Sequence, residues 1–288
     1  MAKSFLIQTN LDYLLFPVEL RNNPRKTNRE YSKVVTGIID GNEIDLNYCS
    51  PVYELVPNSE IFPKIEEIFR SKGIDFIVNY YHINHVRFYA KYVITDKRFE
   101  YRVKGTNDII NFSFDFQHSY NGLTKYKGVA GYYRLVCNNG LTIPVEEMYK
   151  YNLSIEGKHT TSIVRSLQQF DALFEQLINN FDTVNKAITD KYERLGGIWV
   201  SKPEDRIKEV LKAVNITAVE NSKFNTVQNI LDRINKEANI NGLGYNGKVN
   251  DWLIYNGINQ YINDNSLNIA VPEKRRDTDT KVLEFMLA

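Results

Sequence analysis

A chain of 288 residues with 43% hydrophobic and 25% charged side chains has the make-up of a globular protein, long enough for one large domain or two small ones. Lys and Arg number 36 against 35 Asp and Glu, for a net charge of +1. That balance excludes a global field that would draw in nucleic acid, so any such role rests on a local patch.

Cys49 and Cys137 lie far apart and form neither a disulfide framework nor a metal-ligand spacing, which points to a reducing compartment. Asn10, Asp12 and Glu19 interrupt the apolar residues of the N-terminus, so no signal-peptide pattern is read there. No apolar run reaches the length of a membrane span. The expected setting is the cytoplasm, with no membrane partner.

In chain order, residues 1–40 form an N-terminal segment with a basic loop from Arg21 to Arg29, short of apolar side chains. Arg25, Lys26 and Arg29 make it either a phosphate-binding arm or a solvated loop. Val34 to Leu46 has strand-like runs around turn signals at Gly37 and Asp40-Gly41. Val52 to Pro57 reads as a short strand. A helix is predicted from Glu60 to Ser71, capped by Asn58 or Ser59, with Ile61, Phe62, Ile65, Ile68 and Phe69 on one face.

From Phe76 the period changes to two. Val86, Phe88, Ala90, Tyr92 and Ile94 share one face of a strand, and Arg87, Tyr89 and Lys91 the other. The next strand puts Phe99, Tyr101 and Val103 inward and Arg98, Glu100, Arg102 and Lys104 outward. Ile110, Phe112, Phe114 and Phe116 then alternate with Asn111, Ser113, Asp115 and Gln117, and a fourth strand follows through Tyr132 to Val136. Such regularity predicts a twisted antiparallel sheet with one solvated or ligand-facing side. Of the chain's 36 aromatic residues, 15 lie between Phe76 and Tyr133, as a β core or a stacking surface would require.

After Thr142 the pattern is helical. A long helix is predicted from Thr160 or Thr161 to about Arg194, with Ile163, Leu167, Phe170, Phe174, Leu177, Phe181, Val184 and Ile188 as a heptad seam that packs within the subunit or on another one. Three further helices are predicted: one opened by Ser201, one over about Asn225 to Ala238, and one from Val249 to Ile262. The tail, apolar at Val282, Leu283, Phe285 and Met286, is a docking segment or disordered. The fold class expected is therefore α+β: an antiparallel sheet over about residues 76–143, backed by a long helix and followed by a helical C-terminal half. The expected regions are 1–40, 41–155 and 156–288.

No catalytic or metal motif stands out, and no cofactor is expected. His82 and His85 fall on opposite faces if their stretch is a strand, and His118 and His159 are separate. Gly242 to Gly247 has a GxGxxG spacing but follows a helix rather than a strand. The one candidate binding surface is basic. Arg87, Lys91, Lys97, Arg98, Arg102, Lys104, Lys125, Lys127 and Arg134 face only Asp96, Glu100, Asp108 and Asp115 within the same stretch. Tyr89, Tyr126 and Tyr132 can share that face, giving cations for phosphates and rings for bases. The competing reading is a solvent face whose charges keep the sheet soluble.

Several segments, in order, carry a family resemblance. They are Tyr53 to Phe62, His118 to Gly122, Tyr133 to Leu141, Lys158 to Thr160 and Trp252 to Tyr261. On these the chain resembles the phage/plasmid-like proteins catalogued as domain of unknown function 932, over roughly residues 45–265. Asn121 stands where that family more often has Asp, and Gly257 where it more often has Ala. The resemblance implies a phage, prophage or plasmid origin and a cytoplasmic setting, and it brings no catalytic residues. By analogy at the level of fold, such a protein is similar to single-strand annealing proteins.

The expected function is a non-catalytic single-stranded-DNA-binding or strand-annealing protein of recombination or replication, assembled as a homo-oligomeric ring or filament. The alternative is a phage structural or host-interaction protein that binds other proteins.

Overall fold

A computed structural model describes residues 7–24, 31–102, 109–124, 126–134, 139–142, 154–157, 163–221, 224–240, 248–264 and 272–288. In chain order the elements are β1 (Ile7–Thr9), α1 (Leu11–Leu14), β2 (Val18–Asn22), β3 (Lys33–Ile39), β4 (Asn42–Cys49), α2 (Asn58–Ser71), β5 (Phe76–Ile83), β6 (Arg87–Ile94), β7 (Glu100–Arg102), β8 (Ile109–Ser119), β9 (Tyr126–Arg134), β10 (Asn139–Thr142), β11 (Ser154–Gly157), α3 (Ile163–Gly197), α4 (Pro203–Ala213), β12 (Glu220–Asn221), β13 (Phe224–Asn225), α5 (Thr226–Ile240), α6 (Asp251–Asp264) and α7 (Pro272–Leu287). The class is α+β, with antiparallel sheets and most of the helix in the C-terminal half.

These elements gather into two compact units that interleave along the sequence. One comprises Met1–Asp96, Ser113–Ala130 and Asn152–Asn179; the other comprises Lys97–Phe112, Gly131–Tyr151 and Asn180–Ala288. Strands β8 and β9 and helix α3 each contribute to both units.

In the first unit, β2, β3 and β4 form a small antiparallel sheet. Asp40 and Gly41 have φ of 51° and 78°, the left-handed pair that a two-residue hairpin turn demands. Gly37 is not a turn but lies inside β3. A β-carbon there would sit 2.9 Å from Leu46 Cδ1 and 3.0 Å from Phe16 Cε2, so close packing is what requires glycine. Val52 to Pro57 is irregular rather than a strand.

The larger sheet of this unit pairs β1, β5, β6 and the Ser113–Ser119 part of β8, with β11 on the Tyr126–Val129 part of β9. Register places Tyr80, Ala90 and Phe116 in one cross-strand row and His82, Phe88 and His118 in the next. On that face lies α2, whose Ile61, Phe62, Ile65 and Phe69 are fully buried. Phe62 meets Phe116 edge-on with centroids 5.6 Å apart, and Phe69 lies 5.2 Å from Tyr92. Expected as cap, Asn58 is instead the first helical residue, and its Nδ2 donates to the Leu14 carbonyl at 2.9 Å. Of α3, this unit shows Lys72 ion-paired with Asp171 at 3.1 Å and with Glu175. The seam side chains of α3, from Ile163 to Ile188, lie outside the described residues.

The second unit is built around α6, in which every residue from Asp251 to Asn259 is buried. Asn250 caps it, its Oδ1 accepting the Leu253 N–H at 3.0 Å, and Asn225 caps α5 likewise through the Gln228 N–H at 2.9 Å. A β-carbon on Gly257 would lie 2.6 Å from Ile234 Cγ1, so glycine lets α5 and α6 approach closely. Buried Asp251 receives the Arg206 guanidinium at 3.2 and 2.9 Å. Asp279 of α7 accepts Tyr255 Oη at 2.9 Å and also Asn259 Nδ2. The tail is therefore a docked helix, with Val282, Leu283 and Met286 buried. The C-terminal half of α3 meets the strands of this unit, Asn185 accepting Tyr132 Oη and Glu193 accepting Tyr101 Oη.

Candidate functional site

The residues singled out on β6 project from the sheet of the first unit on the face opposite α2. Their neighbours follow from register. Across the β6–β8 ladder Arg87 stands opposite Ser119, Tyr89 opposite Gln117 and Lys91 opposite Asp115. Across β5–β6 the same three stand opposite Ile83, Tyr81 and Asn79. Gln8 of β1 extends the row by donating to Asn79 Oδ1 at 3.4 Å. On β9, strand alternation assigns Lys127 to this face, since Phe112 and Tyr132, even-numbered on their strands, meet edge-on at 5.5 Å on the other.

This face is not the solvated one that alternation predicts. Tyr89 is 6% exposed, Gln117 4%, and Ser113 and Ser119 are buried as well. Arg87, Lys91, Asp115 and Lys127 are half-buried. Strand β8 is thus covered on both faces, and the polar residues that alternate with its phenylalanines form a floor with cations around it. Three buried atoms of this floor, Arg87 Nε, Asp115 Oδ1 and Gln117 Oε1, have no hydrogen-bond partner among the described residues. A buried polar atom left unsatisfied costs about 1–3 kcal/mol, so a group of them on one face makes it the candidate site among the described residues.

A second cluster sits at the β5–β6 turn. Asn84 and His85 both have positive φ, 50° and 57°, which turns the chain and brings the His82 and His85 rings to 4.5 Å. The two histidines are therefore adjacent, not on opposite faces as a continuous strand would place them. The Tyr13 hydroxyl lies 2.7 Å from His85 Nε2, and the His85 N–H donates to His82 Nδ1 at 3.3 Å. Burial, with the neighbouring His85, pushes His82 down to about 4, and burial lowers His85 too, partly offset by Asp40. Both rings are neutral at pH 7, and His82 Nδ1 is the acceptor that links them. Among the described residues no group of three or more His, Cys, Asp or Glu could hold a metal ion.

The remaining sequence-selected residues are dispersed. Arg98 and Arg102 are exposed on the second unit, the Arg98 guanidinium 5.6 Å over the Phe99 ring. Arg134 is fully buried there, so its charge is not on a surface. Arg25, Lys26, Arg29, Lys104, Lys125, Cys137, His159, the Gly242–Gly247 run and the Tyr126 side chain lie outside the described residues. Sequence reasoning passed over Asp115 and Gln117 as ordinary outward residues. The signal available was their placement opposite Lys91 and Tyr89, which needs the register.

Residues 45–263 match the model of the family described as Domain of unknown function (DUF932). The chain belongs to this family. No curated protein and no solved structure matches it. The match contains the polar floor of this DUF932 protein and all three of its half-buried cations, but neither the basic Arg21–Arg29 loop nor α7. Two of the segments that carry the resemblance interlock within the first unit. Tyr53 Oη donates to the Tyr120 carbonyl at 3.0 Å, and the His118 ring nitrogen Nε2 lies 3.0 Å from the Val56 carbonyl. The described helices of the DUF932 chain include none long and apolar enough to cross a membrane.

Proposed function

We propose that the protein binds single-stranded nucleic acid on the β5–β6–β8 face of its first unit and promotes strand annealing without a catalytic step, as a homo-oligomer serving phage or mobile-element recombination or replication. The observation that supports this reading is the line of Arg87, Tyr89 and Lys91 on one face of β6 beside a buried polar floor. Arg87 and Lys91 are four strand residues apart, about 13 Å, so a strand laid along β6 meets both with its phosphates. Half-burial lets such cations keep water access while strengthening their field at a bound phosphate. Tyr89 is too deeply covered to act as a stacking platform, so the reading rests on charge and hydrogen bonding rather than on base stacking. Arg98 and Arg102 supply further exposed positive charge on the second unit.

The competing reading, a protein-binding structural role, draws on the α3 seam and the apolar tail; the tail is packed within its own unit, and the seam side chains lie outside the described residues. The test is a gel shift and a strand-annealing assay on the full chain beside Arg87→Ala/Lys91→Ala and Arg98→Ala/Arg102→Ala. Binding at low salt that the first double variant weakens supports the proposal. A wild-type chain that leaves oligonucleotides unshifted at low salt overturns it.

A further inference from the structure

Trp199, in the second unit, is 56% exposed, and Ile198 before it is 44% exposed. The backbone that carries them is nevertheless fixed. The segment between α3 and α4 pairs with the one that leads into α6 as a short antiparallel bridge, Trp199 opposite Asn250. The Val200 N–H donates to the Val249 carbonyl at 3.0 Å, and the Asp251 N–H to the Ile198 carbonyl at 2.9 Å. Buried Asn250 adds a bond from its Nδ2 to the Gly196 carbonyl at 3.0 Å. The indole is thus held out in water from a pinned backbone. Exposed Lys248 places its Nζ 5.9 Å from the ring centroid, within cation–π range. Lys202 is a second exposed cation three residues on, while Glu204 and Asp205 follow in the first turn of α4, where their charge favours the helix start.

Resting on the nucleic-acid reading above, we infer that Trp199 stacks on a base of the bound single strand while Lys248 takes the adjoining phosphate. A flat π face beside a cation matches the two parts of a nucleotide, and a base stands about as far from its phosphate as the indole does from Lys248. A neutral apolar peptide would cover the ring but leave the ammonium without a counter-charge. An inorganic anion would engage the ammonium and leave the ring in water. Stacking of this kind tolerates any sequence, because every base has a π face. It also supplies what Tyr89 cannot, since Tyr89 is 6% exposed and Trp199 has open surface.

The chain has two tryptophans, and the other, Trp252, is fully buried, so a change in indole emission on binding reports Trp199. The experiment titrates the full chain at low salt with oligo(dT), reading tryptophan emission and, with a labelled copy of the oligonucleotide, anisotropy. Expected is quenching that follows the anisotropy isotherm. Trp199→Ala is expected to weaken binding about tenfold, and Trp199→Phe, which keeps a ring, to retain most of the affinity. Lys248→Ala should flatten the slope of log affinity against log salt by about 0.7. An oligonucleotide that binds while emission stays unmoved overturns the inference and leaves the nucleic-acid reading standing, as does Trp199→Ala binding like wild type. Emission that follows protein concentration and ignores the oligonucleotide assigns the ring to a contact between copies and overturns the inference too. No binding at low salt overturns both. The bridge is made by backbone and the ring is exposed, so the variants are expected to melt like wild type, and the wild-type emission decides even if one does not.

Discussion

The Tyr120 hydroxyl accepts the backbone N–H of Asn58 at 2.8 Å, and so does the work of a side-chain cap at the start of α2. Pro57 precedes the helix and offers no side-chain hydrogen bond. A phenol from a distant strand end thus satisfies one of the donors that every helix start leaves over. Tyr120 is fully buried, and burial pushes its own ionisation far above the ordinary phenol range, so it remains a neutral hydroxyl.

Tyr120→Phe is accordingly expected to destabilise the protein by about 1–3 kcal/mol, because it leaves a buried N–H unpaired while keeping the ring contacts with Phe88 and His118. Urea denaturation followed by circular dichroism measures it. A loss below a few tenths of a kcal/mol would show that the Asn58 N–H finds water instead.

Gly257→Ala tests the contact between α5 and α6. The added methyl would meet Ile234 at 2.6 Å, so the expected cost is about 1–3 kcal/mol, opposite in sign to the usual gain from replacing glycine in a helix. Pairing it with Ile234→Ala should recover part of the loss, and a double-mutant cycle on thermal unfolding reads the coupling. Simple additivity would mean the helices move apart instead.

His82 gives a pH dependence with a definite sign. Its folded value, about 4, is below the ordinary 6.5, so the unfolded chain takes up its proton first as pH falls. Its contribution is complete above about pH 6.5 and is lost as pH drops from there through about 4, at no more than about 1.4 kcal/mol per pH unit. His82→Asn should flatten the stability profile across that window. A profile of unchanged slope would place the acid sensitivity elsewhere.

Salt separates phosphate contacts from other effects on nucleic-acid binding. Each neutralised phosphate contributes about −0.7 to the slope of log affinity against log salt for a single strand. Arg87→Ala and Lys91→Ala should each flatten that slope by about one contact and weaken all sequences alike. Arg134→Ala is expected to lower stability, because the guanidinium is fully buried. A slope lost with Arg134 but kept without Arg87 and Lys91 would relocate the interface.

The sequence by itself determined the elements that periodicity and turn chemistry encode. The Asp40-Gly41 hairpin, the apolar face of α2, the alternating strands from Phe76, the long α3 and the helical C-terminal half were all legible, since each depends on residues close in the chain. Only the tertiary structure decided what covers what. Alternation made β8 look half solvated, yet Ser113, Gln117 and Ser119 are buried, because covering a second sheet face is a long-range event with no local signature. Positive φ at Asn84 and His85 paired two histidines that strand spacing separates. Arg134 went inside, and Lys91 found Asp115 opposite it, by register alone. The candidate site is therefore half legible: its cations stand in the sequence, while the acceptors beside them gain meaning only when strands far apart in the chain are laid side by side.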